Sequence, residues 1–180
     1  MTALGNRGFC ILKDRRSWLF AISAIIIALD RWTKIWVQHH LAKGDEITVV
    51  KNYFYISHVL NPGAAFSLFV NSPSPNRTRW ILTSFSILAV IVVFAVILKI
   101  GRRFTPTTIA LALILGGALG NVWDRIHYGV VTDFLEVFLR WGHWSYHWPD
   151  FNVADSAIVC GAILILLDAL LPKNLSPEHL

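Results

Sequence analysis

Charge is scarce in this chain. Only 15% of its 180 residues are Asp, Glu, Lys or Arg, whereas 55% are hydrophobic, and the mean hydropathy is +0.55. That balance lies far from an average soluble domain and excludes one. Cysteine is rarer still. Cys10 precedes the first apolar run and Cys160 falls inside the last, too far apart in depth for the close Cα approach that a disulfide requires, so neither disulfide nor thiol chemistry is expected. Acid is short relative to base: 16 Lys and Arg face 11 Asp and Glu, for a net charge of +5 and a pI near 9.5. A nucleic-acid partner would need those basic residues in a continuous stripe. Here they flank apolar segments instead, which points to anionic membrane lipids and to no nucleic acid.

What is abundant is long apolar sequence. About 20 helical residues cross a hydrocarbon core of about 30 Å, and four stretches meet that length: about residues 18–37, 80–98, 107–123 and 152–171. The expected fold is therefore an all-α membrane protein, a bundle of four transmembrane helices, with a small β-rich cradle outside. A single membrane-embedded domain spans residues 1–180, with external loops at about 41–79 and 124–150. The first stretch follows basic residues as a cleavable leader would, but it is too long, lacks a small-residue cleavage site and carries Asp30, Arg31 and Lys34 near its end. Arg7, Lys13, Arg15, Arg16, Lys99, Arg102, Arg103 and Lys173 lie at one set of helix ends. The positive-inside rule then puts both termini in the cytoplasm.

The first external loop holds Glu46–Val50 and Tyr53–Val59, rich in β-branched and aromatic residues and separated by Lys51 and Asn52. That pattern predicts a hairpin or small sheet. Asn61-Pro-Gly-Ala-Ala-Phe66 and Ser72-Pro-Ser-Pro-Asn76 read as turns and connectors. The second external loop is dense in aromatics from Phe138 to Trp148, and Trp and Tyr favour the headgroup region, so a membrane-surface or lid segment is expected there.

Polar residues in such a chain are costly, and their depth is informative. A helix entering near Trp18 rises about 18 Å by Asp30, which puts that carboxylate in the outer half, with Lys34 one turn further on the same face. Asn121, Asp124 and Arg125 arrive at the external end of the third stretch, while Asn152 and Asp155 open the fourth. Asp133 lies in the loop between those two. One interface thus collects Asp30, Lys34, Asn121, Asp124, Arg125, Asp133, Asn152 and Asp155. Gly116-Gly-Ala-Leu-Gly120 adds a small-residue face for close helix or substrate approach.

Two carboxylates close together in a poorly solvated site share a proton, and such a pair can activate water for peptide hydrolysis without a metal or covalent intermediate. Each acid also has an ordinary reading. Asp155 fits a helix amino end, Asp133 a solvated loop, Asp124 an ion pair with Arg125, and Asp30 one with Lys34. His143 and His147 have zinc-pair spacing if helical, but the metalloprotease Glu is missing, so no metal site is expected. Ser57, Ser67 and Ser156 lack an evident histidine partner.

Five blocks together resemble the lipoprotein signal peptidases, the bacterial type II signal peptidases of the aspartic class. They are Asp30-Arg-Trp-Thr-Lys34, Asn61–Phe66, Gly116–Arg125, Val131-Thr-Asp-Phe134 and Phe151-Asn-Val-Ala-Asp155, in order over nearly the whole chain. The resemblance implies a catalytic dyad of Asp133 and Asp155, with Asp30, Lys34, Asn61, Gly117, Asn121, Asp124, Arg125 and Asn152 supporting the site or holding substrate. It implies cleavage of diacylglyceryl prolipoproteins just before the lipidated cysteine, inhibition by globomycin-type cyclic peptides, no cofactor, and residence in the inner membrane with the site near the external face. The Trp-rich stretch matches no block of the family. Two other classes compete: a small proton-coupled transporter using the acids as a relay, and a non-enzymatic lipoprotein-binding protein.

Overall fold

The computed structural model describes residues 14–63 and 74–171. Cys10, the basic residues Arg7, Lys13 and Lys173, Ser67, and the parts of the Asn61–Phe66 and Ser72–Asn76 segments within 64–73 lie outside the described residues. The elements run α1 (Arg15–His40), β1 (Glu46–Val50), β2 (Phe54–Asn61), α2 (Pro75–Ile100), α3 (Pro106–His127), β3 (Val131–Trp141), β4 (Trp144–Phe151) and α4 (Val153–Leu170).

Two expectations are corrected. Among the described residues three helices, not four, are long and apolar enough to cross a membrane: Asn76–Ile100, Pro106–His127 and Val153–Leu170. The helix α1 has the length, at 26 residues, but Arg15 and Arg16 at its start and Asp30, Arg31 and Lys34 near its end leave no long stretch of it free of charge. Nor is the protein all-α. The chain forms a four-stranded antiparallel sheet in the order β1-β2-β3-β4, and the aromatic run expected as a surface loop supplies its last two strands.

Local chemistry accounts for that sheet. Between β1 and β2 the chain turns through Asn52 at φ 73, a left-handed conformation that Asn tolerates. Between β3 and β4, Trp141 pairs with Trp144, so the connection is the two residues Gly142 and His143. Gly142 at φ 59 supplies the positive φ that a tight hairpin needs at its first central position. Along β4 the residues Trp144, Tyr146 and Trp148 alternate with smaller or polar ones, and the first two rings stack at 5.7 Å.

Helix packing brings the sheet and the bundle together. Leu19, Ile97, Ala112 and Leu115 form the buried centre, while Phe85, Ile91, Leu166 and Leu170 are exposed, as expected of faces turned to lipid. A Cβ on Gly117 would lie 2.3 Å from the Ala154 carbonyl oxygen, and one on Gly120 would lie 2.7 Å from Asp30 Oδ2. Glycine there lets α3 press its backbone against the start of α4 and against the Asp30 carboxylate. The start of α1 packs by Arg16 and Leu19 against Gly101, and Thr107 hydrogen-bonds Asp168 near the end of α4. Both ends of the described chain therefore sit at the bundle end opposite the sheet.

Candidate active site

The site is organised by the amino end of α4. Asn152 is its N-cap, with a side chain fully sealed from solvent. Its Oδ1 accepts from the Asp155 backbone N–H at 2.9 Å, and Asp155 Oδ2 accepts in return from the Asn152 N–H at 3.3 Å. This reciprocal capping satisfies donors that a helix start leaves unpaired. Asp155 is thus the capping carboxylate that its position suggested, yet its other oxygen is directed elsewhere: Asp155 Oδ1 accepts from Asn121 Nδ2 at 2.8 Å.

Asp133 comes from the sheet. Asn152 Nδ2 donates to Asp133 Oδ1 at 2.7 Å, and Asn61 Nδ2 donates to Asp133 Oδ2 at 2.9 Å. Register explains the second bond, because Val59 pairs with Asp133 and Asn61 with Val131, so Asn61 stands diagonally across the strand pair from Asp133. One residue, Asn152, therefore ties both acids to a common frame, its side-chain amide donating to the Asp133 carboxylate and its backbone N–H to that of Asp155. Asp133 is only 2% exposed. Burial and then the Asp155 charge push its carboxyl up to about 7, the behaviour of two acids that cannot both ionise easily.

Beside this pair lies a buried, charge-balanced ionic cluster. Lys34 is completely buried and places Nζ 2.8 Å from Asp30 Oδ2, 2.8 Å from Asp124 Oδ2 and 3.1 Å from Asn121 Oδ1. Asp30 and Asn121 accept hydrogen bonds from the ammonium, and Asp124 is held beside it as a close ion pair. Asp30 Oδ1 also accepts from the Ala154 N–H at 3.1 Å, where a carboxylate complements the helix dipole. Asp124 is paired a second time, with Arg31. Two acids and two bases balance in that cluster, and Arg125 adds a further cation beside Asp133 and Asp155, which the Lys34 charge also reaches. The Arg125 charge interacts with both, and its Nη2 donates to the Gly63 carbonyl at 3.2 Å.

Both carboxylates open onto a groove of about 490 Å³, lined also by Asn61, Asn121, Arg125, Val131, Trp148, Phe151, Ile158 and Val159. Its floor is polar and its walls are largely apolar. Depth reasoning from the sequence named Asp30, Lys34, Asn121, Asp124, Arg125, Asp133, Asn152 and Asp155, the family resemblance added Asn61, and the structure brings these nine together. Gly117 faces Ala154 and serves helix packing, with no place in the groove lining. Asp124 pairs with Arg31 and Lys34, so the expected Asp124–Arg125 ion pair is not what holds it.

Sequence reasoning missed three contributors. Arg31 was passed over beside Asp30. Thr132 offers its carbonyl to Asn152 and its hydroxyl to Gln38. Arg79 donates to the Arg125 and Ile126 carbonyls at 2.9 and 3.0 Å, closing the carboxyl end of α3, a favoured place for a cation. Trp148 of the aromatic run and Phe151 just beyond it form groove wall. His143 lies in the hairpin turn and His147 in β4, so a helical histidine pair does not form. Ser156 donates to the Asn152 carbonyl of its own helix at 2.9 Å and has no histidine beside it among the described residues.

Comparison with known proteins bears on this geometry. The family model described as Signal peptidase (SPase) II matches residues 22–171. A lipoprotein signal peptidase of Solibacter usitatus is 43% identical over 163 residues, covering 91% of this chain and 96% of the relative. One from Pseudomonas syringae pv. tomato is 40% identical over 89% of each chain. Among solved structures, a bacterial membrane enzyme determined by the in meso method at 1.9 Å superposes with a TM-score of 0.68 and 27% identity, over 93% of this chain and 96% of that one.

Proposed function

Because the chain belongs to the signal peptidase II family, we propose that Asp133 and Asp155 are its catalytic dyad. The protein is a multi-pass membrane peptidase of the aspartic class that removes signal peptides from prolipoproteins. One observation carries the dyad: the buried amide of Asn152 donates to Asp133 and caps the Asp155 backbone, so the two acids face one groove from different elements.

The chemistry follows from the unequal settings. Asp133, raised to about 7 by burial and by Asp155, is the protonated partner near neutral pH. Asp155 accepts from Asn121 and from a helix-terminal N–H, which favours its ionised form. A water between them loses a proton to Asp155 as its oxygen attacks the scissile carbonyl, and the carbonyl oxygen takes the proton of Asp133. The C–N bond of the tetrahedral intermediate then breaks as the leaving amine takes the proton from Asp155, and a hydroxyl of the intermediate returns one to Asp133. Both acids end as they began. Asn61, Asn121, Asn152 and Arg125 hold the carboxylates and the substrate, while Asp30, Lys34 and Asp124 hold the frame.

The apolar walls at Val131, Ile158 and Val159 suit a substrate whose diacylglyceryl cysteine and signal segment stay in lipid, with cleavage just before that cysteine. The same groove would take globomycin-type cyclic peptides as competitors. The protein resides in the inner membrane, in contact with its lipids, with the sheet and groove external. Arg102, Arg103, the start of α1 and the end of α4 share the opposite, cytoplasmic end. A proton relay across the membrane is not favoured, because Asp30, Lys34, Asp124 and Asp133, the buried charges among the described residues, all sit at the sheet end.

The deciding experiment measures cleavage of a lipidated precursor peptide in detergent by Asp133→Asn and Asp155→Asn. Both should lose turnover by about a thousandfold or more while remaining folded. Retained turnover in either removes that residue from the dyad.

A further inference from the structure

Glu136 of β3 and His147 and Asp150 of β4 bring one ligand atom each to within 4.8 Å of one another, away from the ion cluster of the bundle. His147 Nε2 lies 3.2 Å from Glu136 Oε1 and 3.6 Å from Asp150 Oδ1. Metal bonds of about 2.0–2.2 Å in a tetrahedral site put neighbouring ligand atoms roughly 3.3–3.5 Å apart. The two His147 edges, at 3.2 and 3.6 Å, bracket that spacing to within about 0.1 Å.

The hairpin builds this arrangement. Val137 pairs with Trp148 and Leu135 with Phe151, so β4 carries one extra residue in that interval. Such a bulge re-aims a side chain, and here it turns Asp150 toward His147 and Glu136. The His147 ring stacks on Phe138 at 4.8 Å and 23°, which fixes the direction of its Nε2.

The cluster is not complete as a set of hydrogen bonds. Nε2 has a single hydrogen for two carboxylates, and Asp150 Oδ1, sealed from solvent, has no hydrogen-bond partner. A buried acceptor left that way is costly. Burial raises both carboxyls above their ordinary range, and Asp150 raises Glu136 further; a cation among them would relieve both effects.

We propose that Glu136, His147 and Asp150 bind a divalent cation of the zinc class, with a fourth position left to water. One imidazole and two carboxylates neutralise a dication and match the ligand preference of zinc over magnesium or calcium, which favour all-oxygen sets. The site is separate from the hydrolytic chemistry. Its effect is mechanical: it clamps β3, which carries Asp133, to β4, which runs into the Asn152 cap, and Asp150 itself lines the groove.

Zinc titration of the chelator-treated, full-length protein in detergent, followed by calorimetry and thermal unfolding, tests this without substrate. The wild type should show one saturable site and a rise in unfolding temperature. His147→Ala should weaken binding at least about tenfold and remove the rise, while His143→Ala, in the hairpin turn next to the same strand but outside the cluster, should change neither. Glu136→Gln, which keeps the side-chain shape, should also weaken binding and guards against a His147 variant that fails to fold. No saturable binding, or equal binding by wild type and both cluster variants, overturns the proposal.

Discussion

Lys34 and Asn152 are both fully buried and both join several elements, yet they hold carboxylates in opposite conditions. Around Lys34, Asp30 and Asp124 are matched by cations, and Asp30 also by a helix N–H. Around Asn152, Asp133 and Asp155 receive neutral amide donors, and they front an open groove. The first arrangement is electrically closed and suited to permanence. The second keeps a carboxyl with an elevated proton affinity beside one that accepts from Asn121 and a helix-terminal N–H, and so can exchange a proton with whatever enters. Neighbouring acids of the same residue type are thereby divided into frame and chemistry by the charge of their partners.

The comparison breaks first at the dyad. Asp133→Asn and Asp155→Asn are expected to cause the largest loss of cleavage, yet Asp133→Asn should not lower the unfolding temperature at pH 8. Ionising Asp133 in its buried setting costs free energy that the amide avoids. A variant that both loses activity and unfolds would move Asp133 into the frame.

Lys34→Met should produce the reverse pattern. It leaves Asp30 and Asp124 buried with one cation fewer, and breaking a buried pair in this way costs on the order of 3–5 kcal/mol. Unfolding temperature in detergent should fall sharply, with activity lost as a consequence. If Lys34→Met stays as stable as the wild type but stops cleaving, the closed half of the site is taking part in the chemistry.

A pH series sharpens the distinction further. The folded-state value of Asp133, about 7, lies above its ordinary 3.8, so the folded protein binds this proton more tightly than the unfolded chain. The resulting stabilisation is complete below about 4 and is lost as pH rises toward about 7. Cleavage, which needs the shared proton, should hold to about neutral pH and then decline toward tenfold per unit above it. In Asp133→Asn the stability change between about pH 4 and 7 should disappear. An activity profile that keeps rising from pH 7 to 9 would contradict the proton assignment.

The closed half and the open half were legible in the sequence to different degrees, for physical reasons. Helical rise is constant, so counting from Trp18 located Asp30 and Lys34, and the short distance from Asn152 to Asp155 located the helix start. Asp133 was harder, since a strand in a sheet has no depth rule of its own, and the resemblance of Val131–Phe134 to a family block separated it from a loop acid. The β3–β4 hairpin was misread as a surface loop, although the two residues Gly142 and His143 between aromatic runs were a turn signal. The four-span expectation failed at α1 because length was weighed above the charges at Asp30, Arg31 and Lys34. Arg31 was read only as a charge near the end of the first helix, because adjacency to Asp30 hid its reach across to Asp124 on α3.

The smallest predicted effect sets the outer limit of the chemical half. Arg140 lies on β3, seven residues beyond Asp133, exposed near the hairpin tip and paired with Ser145 across the strands. Its guanidinium sits 6.0 Å from the Phe138 ring centre, at the far limit of a cation–π contact that is worth about 0.5–1 kcal/mol at exposed sites. It touches neither the groove nor the buried ion cluster, so Arg140→Ala should change cleavage by less than about threefold and leave thermal stability nearly unaltered. Charge alone does not distinguish Arg140 from Arg125. What differs is that Arg125 lines the groove beside the two acids, whereas Arg140 stands in solvent, where its field is screened within about 10 Å. Kinetics of the Arg140 variant on a lipidated peptide therefore test whether the chemical half ends at the groove wall. A loss as deep as that of Asp133→Asn would extend it along β3 to the hairpin tip.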